Sequence, residues 1–256
     1  MTGSAHLRTE DLSIRFGGQA AVDAVTCAFV PGELTVIVGP NGAGKSTYFN
    51  LISGQLTPTS GRIFKGDQDI TRASPSARAR GGIGRAFQLT NLFPRLSVLE
   101  NVRLAVQAHA GLGPRAFRPA SGYTTVTREA ERHLEATHLE AVARLPAAAL
   151  PHGDQRKLEV ALLLAMQPDV FMFDEPTAGM SVDEAPVILK LIADIKKDAT
   201  RTVLLVEHRM EIVRALADRI VMLHNGQLVA DGKPEAVMAM PLVREIYLGL
   251  SPGEAA

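Results

Sequence analysis

The sequence has little cysteine, no excess of charge of either sign and no long apolar segment. A single cysteine, Cys27, excludes an internal disulfide and is typical of a reducing compartment. The 27 basic and 27 acidic residues balance, so the charge does not point to nucleic acid as an obligatory partner. The longest apolar run, residues 160–166, is far shorter than the roughly 20 residues that cross a bilayer. The N-terminus lacks the apolar stretch of a signal peptide, and we therefore expect a cytoplasmic chain.

Three short apolar runs indicate the fold class. They are "LTVIVG" (34–39), "VFMFDE" (170–175) and "TVLLVEH" (202–208), and each ends abruptly in polar residues. Continuous apolar strands of this length are typical of a parallel sheet that is covered on both faces. In such sheets ligands bind at the carboxyl ends of the strands, where these polar residues lie. With helical patterns between the runs, the sequence predicts an α/β fold.

Helical patterns fill the segments between these runs. Residues 45–52 follow the first strand and stop at Gly54. Ser97 and Glu100 have the spacing of a capping box, which predicts a helix start. Further along, "REAERHLEATHLEAVARL" predicts a helix whose apolar stripe runs up to Pro146 and contains Leu134, His138, Ala141, Val142 and Leu145. Residues 89–158 are therefore predicted to be mainly helical and inserted into the α/β core.

Turn chemistry marks the remaining segments. Asn225 and Gly226 stand between two short apolar runs, the pattern of a type I′ β-hairpin. Residues 111–122 are rich in glycine and proline, so we predict a loop there. The tail, residues 251–256, is predicted to be disordered.

Residues 39–47, "GPNGAGKST", carry the strongest chemical motif. They match G-x-x-x-x-G-K-S/T between an apolar strand and a helix, the context expected of a phosphate-binding loop. Glycines let backbone N–H groups turn toward phosphate oxygens, and the helix N-terminus adds partial positive charge. Lys45 is predicted to reach the β- and γ-phosphates and Ser46 to ligate Mg²⁺. The predicted nucleotide contacts are Gly39, Pro40, Asn41, Gly42, Ala43, Gly44, Lys45, Ser46 and Thr47.

Acidic and imidazole groups follow the other two predicted strands. Asp174 ends a buried strand, where its carboxylate can hold Mg²⁺, and Glu175 beside it can polarise an attacking water. His208 ends the third strand at the same edge and could orient that water beside the γ-phosphate. Taken alone, the two acids could be a turn after a core strand, and a lone histidine is more often structural. Together with the phosphate loop they predict hydrolysis of a nucleoside triphosphate.

Five motifs, taken in order, resemble those of the nucleotide-binding subunit of ABC transporters. They are "GPNGAGKST", "GRAFQ", "LPHGDQRKLEVA", "MFDEPTAG" and "LLVEH", and the resemblance spans roughly residues 8–250. Within that family the chain looks most like the ATPases of branched-chain amino acid importers, because of "GRAFQLTNLFPRLSVLENV", the bulky third residue of the third motif and "YLG" near the end.

The resemblance implies a RecA-like P-loop NTPase core with an N-terminal antiparallel β subdomain and an inserted α-helical subdomain. One ABC ATPase domain would span residues 1–250. Residues 1–88 and 159–250 would form the core with the β subdomain, and residues 89–158 the helical subdomain.

The resemblance also implies roles for residues outside the three strand ends. Phe16 stands where an aromatic ring stacks on adenine; the alternative is a core phenylalanine on an N-terminal strand. Gln88 corresponds to a glutamine that contacts Mg²⁺ or water and responds to the membrane partner; the alternative is a polar residue entering a loop. Residues 89–96 would face the permease.

"LPHGDQ", residues 150–155, aligns with the family signature that is usually written LSGGQ. There the helix N-terminus, through His152 and Gly153, would contact the γ-phosphate of ATP held by the opposite subunit; a simple helix cap is the alternative. Pro151 replaces a serine, and Asp154 replaces a glutamine. We expect proline at the first helical position to preserve the helix. Ser181 stands where the family often has aspartate.

The resemblance thus implies an ATPase that uses ATP and Mg²⁺ and energises a membrane importer of small solutes, through a head-to-tail dimer of cassettes. The expected partners are permease subunits, a second ATPase subunit (a copy or a related chain) and, indirectly, an extracytoplasmic solute-binding protein. The chain would lie on the inner face of the cell membrane. Two alternatives stay open: an ATPase subunit of a lipid or lipopolysaccharide exporter, and a soluble ABC ATPase without a transport role.

Overall fold

A computed structural model describes residues 6–86, 92–111, 124–181 and 183–248. The chain divides into two compact units. The first comprises Met1–Ile83, Asp169–Glu175 and Ile195–Ala256, and the second Gly84–Pro168 and Pro176–Asp194. The second unit thus begins before the predicted helical region, residues 89–158, and also includes a later segment. The family's subdomain boundaries at 88/89 and 158/159 stay a prediction.

An antiparallel sheet forms one layer of the first unit. Its strand order is β2-β1-β4-β5, and its strands are β1 (Leu7–Phe16), β2 (Gln19–Phe29), β4 (Ser60–Lys65) and β5 (Gln68–Asp69). All three strand pairs are antiparallel. Buried and more exposed residues alternate along β1 because one face of the sheet covers the core.

The second sheet contains the predicted apolar strands. Its strands are β3 (Leu34–Val38), β6 (Ile83–Ala86), β7 (Val170–Asp174), β8 (Thr202–Val206), β9 (Arg219–His224) and β10 (Gln227–Gly232). Their order is β10-β9-β3-β8-β7-β6, and the neighbours among β9, β3, β8 and β7 are parallel. Every residue of β3, β7 and β8 is buried, as expected for strands covered on both faces. The predicted α/β fold is confirmed.

The hairpin between β9 and β10 has the predicted geometry. The two strands are antiparallel, with His224 opposite Gln227. Asn225 and Gly226 have φ angles of 48° and 79°, and a type I′ turn requires positive φ at both central positions.

A single apolar core joins both sheets to helix α1 (Lys45–Ser53). Tyr48, Phe49 and Ile52 of α1 are fully buried there. The helix ends where predicted, at Gly54, whose left-handed conformation lets its N–H bond to the Leu51 carbonyl. Cys27 lies in the same core, and burial raises the pKa of its thiol to about 12. The other helices of this unit are α2 (Pro75–Arg80), α7 (Met210–Leu216), α8 (Pro234–Ala239) and α9 (Pro241–Leu248).

The second unit is mainly helical around its own core. Its helices are α3 (Val98–His109), α4 (Thr124–Ala136), α5 (His152–Met166) and most of α6 (Ala185–Lys196). Half of the predicted capping box is present, because the Ser97 hydroxyl accepts a hydrogen bond from the backbone N–H of Glu100 at 3.1 Å. The Glu100 carboxylate does not complete the box but binds Arg103 at 2.6 Å.

The predicted helix up to Pro146 is wrong beyond residue 136. Helix α4 ends at Ala136, and a separate 3-10 helix occupies Glu140–Val142. His138 has a φ of 56°, its N–H bonds to the Glu135 carbonyl, and the N–H of Leu139 bonds back to Leu134. These are the two bonds of a Schellman motif. The sequence did not predict this helix end because the residue in the left-handed conformation is a histidine and not a glycine.

Some predictions fall on residues that the structure does not describe. They are Gln88, the first part of the permease-facing segment (89–91), nearly all of the loop at 111–122 and the tail at 251–256. Within the described ranges, none of the helices has the length and apolarity needed to cross a membrane.

Candidate functional site

The carboxyl edge of the parallel sheet collects the polar residues that the sequence singled out. The phosphate loop (residues 39–47) follows β3, Asp174 ends β7, and His208 stands two residues after β8. Because neighbouring parallel strands have their carboxyl ends at the same edge of the sheet, four predicted site residues lie at this edge: Lys45, Asp174, Glu175 and His208.

The phosphate loop holds its lysine close to the backbone. The Lys45 ammonium donates hydrogen bonds to the carbonyls of Gly39 at 2.8 Å and Pro40 at 3.0 Å. Burial lowers the pKa of this ammonium, while the nearby carboxylates of Glu175 and Asp174 act in the opposite direction. The lysine is therefore a cation that already has carboxylates as neighbours, and a phosphate would supply it with further anionic partners.

Two glycines of the loop lie against backbone carbonyls. A Cβ at Gly39 (φ 149°) would fall deep inside van der Waals contact of the Leu223 carbonyl oxygen. One at Gly44 (φ 98°) would collide in the same way with the Ala21 carbonyl. The N–H of Gly226 also donates to the Ala43 carbonyl at 3.0 Å. Strand β2 and the β9–β10 hairpin therefore fix the loop from outside.

The side of the loop that remains open fits a magnesium-bound triphosphate. Around a Cβ at Gly42 no atom of the described chain lies within 4 Å, and Asn41 and Ser46 are exposed. The Ser46 hydroxyl follows Lys45 at the start of α1, and Thr47 after it is half-buried. The Ser46 hydroxyl and the Asp174 carboxylate provide the oxygen ligands that Mg²⁺ prefers. The Lys45 ammonium provides hydrogen bonds and positive charge for phosphate oxygens.

Glu175 has an unusual backbone conformation. Its φ is 47°, the left-handed region that costs a non-glycine residue about 1–3 kcal/mol and recurs at functional sites. The Nδ1 atom of His208 lies 3.6 Å from Glu175 Oε1, and the imidazole is 57% exposed. The structure therefore brings the two predicted catalytic residues together, with the histidine open to an incoming ligand.

Phe16 is not a core residue. It ends β1 and is 51% exposed. The strand that pairs with β1 carries Ala21, whose carbonyl lies against Gly44 of the phosphate loop. An exposed ring on this hairpin is available for stacking.

The signature turn (residues 150–155) belongs to the second unit. Helix α5 begins at His152, and Pro151 is its N-cap. The predicted first helical position for this proline is therefore wrong by one residue, and the helix N-terminus has no side-chain cap. Asp154 forms an ion pair with Lys157 at 2.8 Å, which offsets part of the negative charge that it brings to the turn.

Gly153 is buried against a carboxylate. A Cβ at this position would collide with the side chain of Glu184, and the exposed His152 ring lies beside Gly179. Glu184 accepts hydrogen bonds from the N–H of Ser181 at 3.0 Å and from its hydroxyl at 2.9 Å. The Ser181 hydroxyl in turn accepts the N–H of Glu184 at 3.3 Å. Ser181, which stands where the family often has aspartate, thus forms a capping box with Glu184 before α6. These bonds from Ser181 lower the pKa of the Glu184 carboxyl.

Replacing Gly153 with alanine tests this contact. In the wild-type background the new methyl group must push Glu184 out of its capping box, and we expect a loss of about 1 kcal/mol in the free energy of unfolding. In a Glu184→Ala background the same change should be neutral or stabilising, because alanine favours helix over glycine by about 1 kcal/mol. Urea unfolding of the four proteins measures the coupling. Equal effects of Gly153→Ala in both backgrounds would contradict it.

The sequence alone did not single out several residues of this edge and this turn. Glu184 stands at capping-box spacing from Ser181, a detectable signal, and Glu207 stands beside His208 in "LLVEH". The carbonyls of Leu223 and Ala21 carry no sequence signal, because any residue supplies a carbonyl.

Comparisons with known proteins agree with this site. Residues 22–178 match the family model described as ABC transporter. The chain is 37% identical over 250 residues to the high-affinity branched-chain amino acid transport ATP-binding protein LivG of Escherichia coli (strain K12), covering 95% of this chain and 97% of LivG. Its fold is similar to a nucleotide-free ATP-binding cassette from an ABC transporter, with a TM-score of 0.81, 30% identity and coverage of 96% of this chain and 100% of the other. The fold is also similar to a dimeric ATP-binding cassette in a post-hydrolysis state, bound to ADP and Pi, with a TM-score of 0.75 and 25% identity. The match covers 89% of this chain and 98% of the other chain.

Proposed function

Because the chain belongs to the ABC transporter family, in which it is an ATP-binding and ATP-hydrolysing subunit, we propose that it powers the uptake of branched-chain amino acids or similar small solutes. The full-length similarity to LivG carries this proposal. On this proposal the chain works at the inner face of the membrane, with permease subunits that receive solute from an extracytoplasmic binding protein.

Labelled leucine, isoleucine and valine test the solute. Cells that lack this chain should lose most ATP-dependent uptake, and wild-type protein but not the Glu175→Gln variant should restore it. Urea and a short-chain amide serve as competing solutes. If uptake of all three amino acids is unchanged, the solute assignment falls while the ATPase assignment stands.

The phosphate loop and the β7 end form the nucleotide-binding half of the proposed mechanism. Lys45 binds β- and γ-phosphate oxygens, with the backbone N–H groups of residues 39–47 around them. Ser46 and Asp174 would hold Mg²⁺, together with Gln88, which lies outside the described residues. When bound there, the metal would neutralise charge on the phosphates. Phe16 stacks on the adenine.

Glu175 and His208 form the hydrolytic half. Glu175 accepts the proton of the attacking water, and His208 orients that water and the γ-phosphate. The 3.6 Å between the His208 Nδ1 and the Glu175 Oε1 supports this pairing. We also propose that His152 and Gly153 of a second subunit complete each site, so that two ATP molecules hold a head-to-tail dimer together. The similar dimeric cassette supports pairing of subunits.

Changing Pro151 to serine tests the signature turn. Serine at the N-cap supplies the hydroxyl that α5 lacks, which stabilises such a helix by about 1 kcal/mol. In the proposed dimer the same hydroxyl and the regained N–H contact phosphate. We expect about tenfold tighter ATP-dependent dimerisation for Pro151→Ser. Analytical ultracentrifugation with ATP measures it in the Glu175→Gln background. Pro151→Ala, which adds no hydroxyl, is the control; equal dimerisation in the serine and alanine variants would exclude a role for the hydroxyl.

An exposed apolar patch on the second unit fits the proposed permease contact. It consists of Phe93, Leu96 and Leu145. The backbone N–H of Leu96 donates to the Phe93 carbonyl, and residues 97–98 pair with residues 145–146 through backbone hydrogen bonds, so the three side chains belong to neighbouring backbone segments. Phe93 is 57% exposed, and large exposed aromatics are typical of interface anchors.

Phe93→Ser should weaken binding to the permease about tenfold, because one central aromatic anchor contributes that much or more. Retention of detergent-extracted permease on the immobilised variant measures the loss, and ATP binding should be unchanged. Leu242→Ser removes an exposed apolar side chain from the first unit and serves as the matched control. Full retention by the Phe93 variant would place the contact elsewhere.

A further inference from the structure

Glu207 is a buried acid at the site edge to which the proposed mechanism gives no role. It is the first residue after β8, and its side chain is only 1% exposed. Its backbone N–H lies 3.5 Å from the carbonyl of Ile37 on β3, two residues before the phosphate loop begins. A carboxylate is rarely buried without specific partners, because burial removes its hydration.

The hydrogen-bond partners of this carboxylate are the backbone N–H groups of the next two residues, and the Nε atom of the Arg209 guanidinium lies 3.7 Å from Oε1. Glu207 Oε1 accepts the N–H of His208 and the N–H of Arg209, both at 3.0 Å. The other oxygen, Oε2, is buried and has no hydrogen-bond partner among the described residues. Two hydrogen bonds from consecutive N–H groups to one oxygen close a tight turn, so the backbone at His208 has little freedom to rotate.

The imidazole of His208 needs such support. The ring is 57% exposed, and its Nδ1 lies between two carboxylates, 3.6 Å from Glu175 Oε1 and 3.7 Å from Glu207 Oε1. With so much of the ring in solvent, little packing fixes its position, and the direction of the side chain depends on the backbone that carries it.

Ordinary helix capping does not explain the contact. Helix α7 has Arg209 as its N-cap and no side-chain cap. The two N–H groups that donate hydrogen bonds to Glu207 belong to the N-cap and to the residue before it. A capping side chain instead accepts a hydrogen bond from the N–H of the second or third helical residue. The carboxylate therefore organises the turn at His208 rather than the first turn of the helix.

We infer that Glu207 is a positioning residue for ATP hydrolysis, which holds the backbone of His208 so that the imidazole stays beside Glu175. This inference rests on the proposed role of His208. It predicts that the side-chain oxygen Oε1 of Glu207 matters as a hydrogen-bond acceptor, and that the residue acts only through His208.

Steady-state ATPase kinetics of single and double variants test this. Glu207→Ala should lower kcat about tenfold, as expected when a group beside the reacting atoms loses its alignment, and should change the KM for ATP by less than about twofold. In a His208→Ala background the same change should lower kcat by less than about twofold. Glu211→Ala removes an exposed acid from the next turn and should leave kcat unchanged.

Conservative variants separate the acceptor from the charge. Glu207→Gln keeps an acceptor oxygen at the same reach and should retain kcat within about threefold. Glu207→Asp keeps the charge but withdraws the oxygen by one methylene, and it should behave like alanine. This pair also decides the question if Glu207→Ala does not fold.

The outcomes separate the two levels of the argument. If His208→Ala lowers kcat and Glu207→Ala does not, or if Glu207→Ala lowers kcat equally in both backgrounds, the inference is overturned and the proposed mechanism stands. If His208→Ala leaves kcat unchanged, the proposed role of His208 fails and the inference fails with it. If Glu207→Asp retains kcat and Glu207→Gln loses it, the charge and not the acceptor oxygen matters, and the inference is overturned.

Discussion

Glu175→Gln is expected to lower ATP turnover about a hundredfold or more while ATP still binds, because an amide cannot accept the proton of the attacking water. Glutamine has nearly the same shape, so the φ of 47° at this position and the contact with His208 should persist. Lys45, Ser46 and Asp174 are unchanged, and the affinity for nucleotide should stay within about threefold. With hydrolysis blocked, the proposed ATP-bound dimer should accumulate.

Turnover by phosphate release and mass by light scattering with ATP and Mg²⁺ check both expectations. Glu211→Gln, an exposed acid after β8, is the matched control and should leave both measurements at the wild-type value. An unchanged turnover of Glu175→Gln would remove this residue from the role of base. If turnover is lost but no dimer forms, the role of Glu175 as the base is kept and the proposed head-to-tail dimer is contradicted.

Alanine at Gly39 or Gly44 is expected to destabilise the first unit by about 3 kcal/mol, the upper end of the usual cost of overpacking. At both positions the added methyl group meets a backbone carbonyl, that of Leu223 or that of Ala21, and a carbonyl within a sheet cannot move aside as a side-chain end can. The φ angles of 149° and 98° add strain for any residue with a Cβ. Any relaxation should displace the phosphate loop and weaken ATP binding.

Gly42→Ala is the control within the same motif. It also has a positive φ, 80°, but the described chain leaves open space around its Cβ position. We therefore expect only the conformational cost, about 1 kcal/mol. Thermal and urea unfolding of the three variants rank the costs. Similar losses at all three glycines would mean that conformation, and not the carbonyl contacts, makes glycine necessary at Gly39 and Gly44.

The difference between these glycines shows what sequence analysis could and could not predict. The motif required glycine-rich backbone at residues 39–44 but treated Gly39, Gly42 and Gly44 alike. The neighbours that distinguish them lie on β2 and β9, far along the chain, and contribute only backbone carbonyls. The apolar runs, in contrast, predicted β3, β7 and β8 well, because burial on both faces leaves a direct mark on composition.

Helix ends were predicted where the residue type signals them, as glycine does, and missed where an unusual residue adopts the same backbone conformation. Gly54 ended α1 as expected, whereas the Schellman motif at His138 used a residue that seldom adopts a left-handed conformation. Pro151 lies one residue earlier than expected, at the N-cap. Around Ser181, a departure from the family pattern became intelligible only when Glu184 was seen to bond to it and to lie against Gly153.

The sequence by itself determined the α/β class, the phosphate loop with Lys45 and Ser46, and the polar ends of β7 and β8, because each is encoded in local residue types and their spacing. Only the tertiary structure decided that Glu175 has a strained backbone and lies beside His208, and that Glu207 is buried with its Oε1 atom 3.7 Å from that histidine. It also decided that remote carbonyls lie against two glycines of the loop. Those relations depend on which strands become neighbours. Strand pairing brings together residues that are far apart in the chain, and no local pattern records it.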